Sequence, residues 1–349
     1  MMNTRLIRRL MGTAALAALS LSAGCERNPA LPDGDELAAV VVNSVDNSLS
    51  IVTLNGGASR TVGLGGAASS PVDLAVRGNI AVVPLGIYPF AAVVDLAAGA
   101  VAYRVPLPAN SGATGVAFVN DTLALVANPG RNTVSPVNVR RGQAGAEIPV
   151  GVYPQAIVAG NGALYVINSN LVNFNPAGPG SVTVLNSSLG VLKTIPLSGI
   201  NPAAGAVVGD RLYVLNSGNF GQANASLSVV NLQTLAEESH HTGFGRFPTS
   251  LRASGNPGVL YVGGFGYGIA SWNPANRQFI ISPANPLKPS GVADVGDMTV
   301  DDIGQLFFTA PGDCTQPGRL YLVGASGAII GQAPTGVCPV GVEITRIRS

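Results

Sequence analysis

Few residues in this chain have the chemistry to act as catalysts or metal ligands. It holds two His, adjacent at His240 and His241, three Cys at Cys25, Cys314 and Cys338, and only 11% charged residues, under half the share of an average soluble domain. The His pair sits in the polar segment Glu237-Glu238-Ser239-His240-His241-Thr242. Neighbouring side chains on a strand point to opposite faces, which suits a solvated outer edge better than one metal. Asp301-Asp302-Ile303-Gly304 has the composition of an acidic metal turn, yet Asp and Gly are wanted at a hairpin for turn geometry alone. Asp294 and Asp297 stand nearer an inner strand and are candidates for a channel-facing acid pair. No Ser-His-Asp set, phosphate-binding loop or Cys-x-x-Cys-His haem motif is present. Gly264–Gly268 (GFGYG) is followed by no helix, and a single Trp, Trp272, is sparse for a quinone-cofactor enzyme. These residues call for no cofactor and no metal and favour a role without catalysis, with an enzyme left open as the alternative.

What remains is suited to binding. Asn168–Gly180 carries Asn173 and Phe174, and Asn216–Asn224 carries Asn219 and Phe220. Phe265 and Tyr267 follow in a third loop, and Arg246 and Phe247 lie in Gly245-Arg246-Phe247-Pro248. Aromatic faces, amides and one cation suit a glycan, a peptide or a partner protein, and long loops on a rigid scaffold are where binding resides. The alternative is that Asn and Gly only satisfy turn conformations.

The elements that position these loops repeat. Gly151–Asn168 reads as two short apolar runs joined by Asn161-Gly162, the signature of a tight β-hairpin. Its second run, Leu164-Tyr165-Val166-Ile167, recurs at Ala39–Val42, Ile80–Val83, Leu123–Val126, Leu212–Leu215, Leu260–Gly263 and Leu306–Thr309. Seven copies, 41 to 48 residues apart, predict units of about four strands each. Asn follows the run at Asn43, Asn128, Asn168 and Asn216. With LYVINS and LYVLNS, the chain resembles the YVTN-type seven-bladed β-propeller repeat of the lactonase-like propeller superfamily, over roughly residues 37–349.

That resemblance implies an all-β fold of seven four-stranded antiparallel blades. It implies a ligand- or protein-binding scaffold, with a lactonase-like hydrolase as the alternative. The first unit begins at its second strand, so Val340–Ile347 is expected to supply the missing inner strand. Gly336-Val337-Cys338-Pro339 precedes it and repeats the Gly-x-x-Pro of Gly151–Pro154, Gly199–Pro202 and Gly245–Pro248. These loops and those after each second strand share one rim, which brings Cys314 near Cys338. A disulfide is the expectation, and two buried free thiols are the alternative.

Arg5, Arg8 and Arg9 precede a short apolar stretch, Leu10 to Leu21, too short to span a bilayer. It ends in Leu21-Ser22-Ala23-Gly24-Cys25, which resembles a bacterial lipobox with Leu one residue further from the Cys than usual. The resemblance implies a signal peptide over 1–24, a lipidated Cys25 opening a tether over 25–36, and a propeller over 37–349. The protein would be an exported monomer anchored to a membrane, facing the periplasm or the cell surface. Its partners would be an envelope protein, a peptide or a glycan. Removing residues 1–24 leaves 16 Lys and Arg against 18 Asp and Glu, a balance of −2 without a basic patch, which argues against nucleic acid.

Overall fold

Runs such as Leu164-Tyr165-Val166-Ile167 lack polar alternation because both their faces are buried. In the computed structural model Leu164 and Val166 pack toward Leu125, Ala127 and Val134 of one neighbouring sheet. Tyr165 and Ile167 pack toward Leu212, Val214 and Val230 of the other. The same division repeats around the molecule, giving a hydrophobic cluster at each of seven junctions between sheets. Burying each such side chain contributes about 1.5–3 kcal/mol. The structure describes residues 34–54, 59–66, 69–255, 258–288, 292, 294–324 and 327–348. The expected signal sequence, Cys25 and the tether as far as residue 33 lie outside them.

The described residues form seven antiparallel blades, each ordered from the channel outward. Blade 4 consists of Pro154–Gly160, Ala163–Asn168, Pro179–Asn186 and Val191–Ile200. Its inner hairpin turns on Asn161-Gly162, both with positive φ, as a two-residue type I′ turn requires. Blade 1 takes its inner strand, Pro339–Ile347, from the far end of the chain, beside Glu36–Asn43, Ser48–Thr53 and Ser59–Gly63. That pairing runs antiparallel from Glu36↔Ile347 to Asn43↔Pro339 and closes the ring, so no inner blade edge is left open. The remaining inner strands are Ala75–Arg77, Val116–Asn120, Pro202–Val208, Ser250–Ala253 and Met298–Val300, in blades 2, 3, 5, 6 and 7.

The Asn that ends the second strand in blades 1, 3, 4 and 5 is a structural tie. Asn168 Nδ2 donates to Ser181 Oγ and Thr183 Oγ1, both at 3.1 Å. Asn216 does the same to Ser226 and Ser228, and Asn43 to Ser48 and Ser50. All three Asn are fully buried, so each amide needs partners within the blade. The Ser that follows reaches across: Ser169 Oγ donates to the Pro202 carbonyl at 2.5 Å and Ser217 Oγ to that of Pro248 at 2.6 Å. Gly-x-x-Pro belongs to the same device, since a Cβ on Gly151 would stand 2.6 Å from Asn168 Cγ. The repeat motif is thus consumed in holding blades together.

Candidate functional site

The residue before each proline of the Gly-x-x-Pro loops adopts left-handed backbone: Tyr153 at φ 56°, Asn201 at 54°, Phe247 at 48° and Cys338 at 61°. Such a conformation costs about 1–2 kcal/mol for a non-glycine residue. It also sets these four side chains against the loops that follow second strands. Tyr153 meets the edge of Phe174 with ring centroids 6.2 Å apart, and Asn201 Nδ2 donates to the Gly218 carbonyl. Phe247 packs on Phe220 at 4.8 Å, and Cys338 is disulfide-bonded to Cys314.

The last two links are equivalent. Cys314 and Phe220 each lie four residues beyond the end of a second strand, at Ala310 and Asn216. Phe247 and Cys338 each precede the proline of the next blade. An aromatic pair therefore joins blades 5 and 6 where the disulfide joins blades 7 and 1. The bond closes a loop 24 residues apart in sequence, worth about 3 kcal/mol in the chain-entropy account. Thiol titration of the denatured, unreduced chain will find neither Cys314 nor Cys338 reactive; two titratable thiols at these positions would overturn the pairing.

The other expected rim residues divide between exposed and structural. Asn173 and Phe174 are the two central residues of a small hairpin, Leu171–Val172 with Asn175–Pro176, and both have positive φ (50° and 62°). This is again a type I′ turn, in which the second position ordinarily wants Gly. Phe174 occupies it at 73% exposure. Phe220 and Phe265 are about half exposed, and Arg246 is exposed. Asn219 is held in its loop, its N–H donating to Asn224 Oδ1 at 2.9 Å. Tyr267 departs from the expectation of a rim contact: it is only 6% exposed, packs in the blade 5–6 core, and donates its hydroxyl to the Phe244 carbonyl at 2.7 Å. Burial raises its phenol pKa. Its ring still forms the floor of a pocket of about 410 Å³ walled by Arg246, Phe247, Phe265, Pro283 and Lys288. No carboxylate pairs with Arg246 or Lys288 among the described residues. Phe174 belongs to blade 4 and does not line this pocket.

Phe265 also borders the central channel, a cavity of about 670 Å³. Four charged groups converge there: Asp73 ahead of the blade 2 inner strand, Arg252 in blade 6, Asp297 ahead of the blade 7 inner strand, and Glu343 in blade 1. Arg252 Nη2 donates to Asp297 Oδ2 at 2.8 Å and stands 3.7 Å from Glu343 Oε1. Asp297 also accepts from Ser250 Oγ at 2.6 Å and the Val342 N–H at 3.2 Å. Asp73 accepts backbone N–H groups of Leu74 and Val116. Burial pushes the Asp73 carboxyl up to about 6 and that of Glu343 up to about 7, with Arg252 opposing both shifts. Burial works against the Arg252 cation, but Asp297, Glu343 and Asp73 outweigh it and raise its pKa.

Of the acids singled out in the sequence, Asp297 does face the channel. Asp294 instead accepts the Gly266 N–H at 2.6 Å and holds the Phe265–Tyr267 turn. Asp301 accepts from Ile303 and Gln305, as a turn residue does. His240 and His241 lie on the outermost strand of blade 5, with His241 against Trp272 at 5.4 Å. Asp73, Arg252 and Glu343 were missed. Their signal was a charge within or just before an inner strand, in a chain where charge is scarce.

No family model matches the chain, and no curated protein matches it. Among solved structures it is similar to hydrazine synthase of Kuenenia stuttgartiensis, with a TM-score of 0.65 and 15% identity over 82% of this chain and 98% of that one. It is also similar to a functionally unknown protein from Desulfotomaculum acetoxidans DSM 771, with a TM-score of 0.64 and 13% identity over 89% and 99% of the two chains. At such identities the likeness shows the propeller fold alone.

Proposed function

We propose that this chain is a YVTN-type propeller, tethered to a membrane of the cell envelope through a lipidated Cys25, that docks a partner polypeptide on the rim over blades 4 to 6. The observation that carries the reading is Phe174: a large apolar ring, 73% exposed, held at a turn position whose backbone favours glycine. Its ring meets the edge of Tyr153 and is otherwise mostly exposed. Retaining it costs backbone energy, and strain of this kind collects at binding sites. Phe220 and Phe265, half exposed on the next two blades, extend the same surface. An aromatic row spread over three blades suits a protein interface, whose centre is enriched in aromatics and poor in charge.

Support for export and anchoring comes from the basic and apolar N-terminal stretch and its lipobox-like end, together with the disulfide, which persists in oxidising compartments. First described strand and Cys25 are 11 residues apart, a reach of at most about 40 Å, so the propeller would stay near the membrane. A propeller also serves hydrolases, and acids do cluster in the channel. Both His, however, sit on the outer edge of blade 5.

The test uses the full chain in detergent as bait for envelope proteins, with Phe174→Gly as the decisive variant. Glycine relieves the turn, so the variant is expected to melt at or above the parent temperature, gaining about 1 kcal/mol. Binding should nevertheless fall about 30-fold, as for an aromatic hot spot, and further with Phe220→Ala. If Phe174→Gly with Phe220→Ala recovers the same partner at the same affinity, the rim reading fails.

A further inference from the structure

The channel has two unlike walls. Blades 6, 7, 1 and 2, consecutive across the ring closure, contribute Arg252, Asp297, Glu343 and Asp73. Blades 3 to 5 face them with small and apolar groups, among them Ala117, Ala156, Val158, Ala204 and Gly205. Three carboxyl groups therefore share one guanidinium, and that guanidinium is committed to Asp297 at 2.8 Å. Both Asp297 oxygens have donors, and Asp73 has two backbone N–H groups. Glu343 has no hydrogen-bond donor among the described residues; its nearest cation is Arg252 Nη2, 3.7 Å away. Its side chain is 35% exposed, and it opens onto the cavity.

Fully ionised, this wall carries two uncompensated negative charges opposite a wall that is mostly apolar and carries no charge, with Thr114 and Gln155 as its polar groups. A half-buried carboxylate without a donor keeps part of its desolvation cost, and a bound cation removes it. Among the described residues no three His, Cys, Asp or Glu side chains are placed to hold a metal ion. A cavity of about 670 Å³ with a few convergent polar groups is of the size that takes a small organic molecule.

We infer that the central channel is a binding site for a small organic cation, whose ammonium group sits against Glu343 and Asp73 and whose apolar body lies along the alanine- and valine-lined wall of blades 3 to 5. The site shares Phe265 with the rim over blades 4 to 6 but none of its charged groups, so a loss at Glu343 and a loss at Phe174 report on different sites. Binding strengthens as pH rises, because Glu343 and Asp73 titrate near 7 and 6 and hold an ammonium only when ionised. The charged groups facing them are Arg252 and Asp297; Arg77, which also lines the cavity, is paired with Asp121.

The probe is benzylamine, with benzyl alcohol and benzoate as neutral and anionic controls, titrated calorimetrically into the full chain. At about pH 8 the benzylammonium ion is expected to bind at least about tenfold more tightly than the alcohol, and benzoate not at all. Moving to about pH 5.5 should erase most of that preference. Glu343→Gln removes a half-buried charge at nearly constant shape, so it should keep the parent melting temperature yet weaken benzylammonium binding about tenfold and flatten its pH profile. Glu343→Asp should restore part of the affinity. Equal affinity for amine and alcohol, no saturable amine binding at millimolar concentration, or amine binding unchanged in a folded Glu343→Gln chain would each overturn the assignment.

Discussion

A chain ending at Pro339 will show no cooperative melting transition. The ten residues removed, 340–349, include most of the inner strand of blade 1, which pairs with Glu36–Asn43 over its whole length. Val342 and Ile347 are buried, and Val340 and Ile344 pack against the clusters on either side of blade 1. Losing these four side chains forfeits about 6 kcal/mol of burial, comparable to the whole margin of a typical domain. The cut also exposes the apolar edge of Glu36–Asn43 and strips Asp297 of the Val342 N–H. Removing residues 26–33, which precede the first described residue, is the control and should leave the melt unchanged. Circular dichroism and calorimetry on both truncations decide the matter; a cooperative transition of the short chain at the parent temperature would mean the closing strand is dispensable.

How far the sequence reached depends on whether a feature is local. The hairpin at Asn161-Gly162 and the recurring LYV-type runs are local, and they sufficed to place seven blades and the closing strand. Cys314 and Cys338 could be brought together because repeat register fixes which loops share a rim. Side-chain direction within a loop is not fixed in that way. Tyr267 and Phe265 are two residues apart in one loop, yet one is buried beneath Trp272 and Phe244 while the other faces solvent. The channel cluster is harder still. Asp73 and Glu343 are 270 positions apart in the chain and meet only because the ring closes. A lone charge at each inner strand looks unremarkable until four adjacent blades are superposed around the axis.

The same cluster makes Arg252→Met the single substitution with the largest expected cost. Methionine nearly fills the volume of the arginine stem but leaves Asp297, Glu343 and Asp73 facing one another without a cation. Breaking a buried ion pair from one side commonly costs 3–5 kcal/mol. Here a quarter of the arginine side chain touches the channel, so about 3 kcal/mol at neutral pH is expected, a fall in melting temperature of about 6 °C or more. The pH dependence separates this from lost packing. In the parent, Asp73 and Glu343 titrate at about 6 and about 7, above their unfolded values near 4. The folded chain thus binds more protons than the unfolded one across that window, and stability falls as pH rises through it. Arg252 opposes both upward shifts, so removing it drives them higher and steepens the fall. The deficit of Arg252→Met should accordingly be largest at about pH 8 and shrink toward about pH 5, where the carboxyls carry their protons in either chain. Adding Asp297→Asn should recover part of the loss at the higher pH by removing the carboxylate that the guanidinium held. Thermal melts of the three chains at both pH values provide the check: a deficit of equal size at pH 5 and pH 8 would show that Arg252 contributes its packing and not its charge.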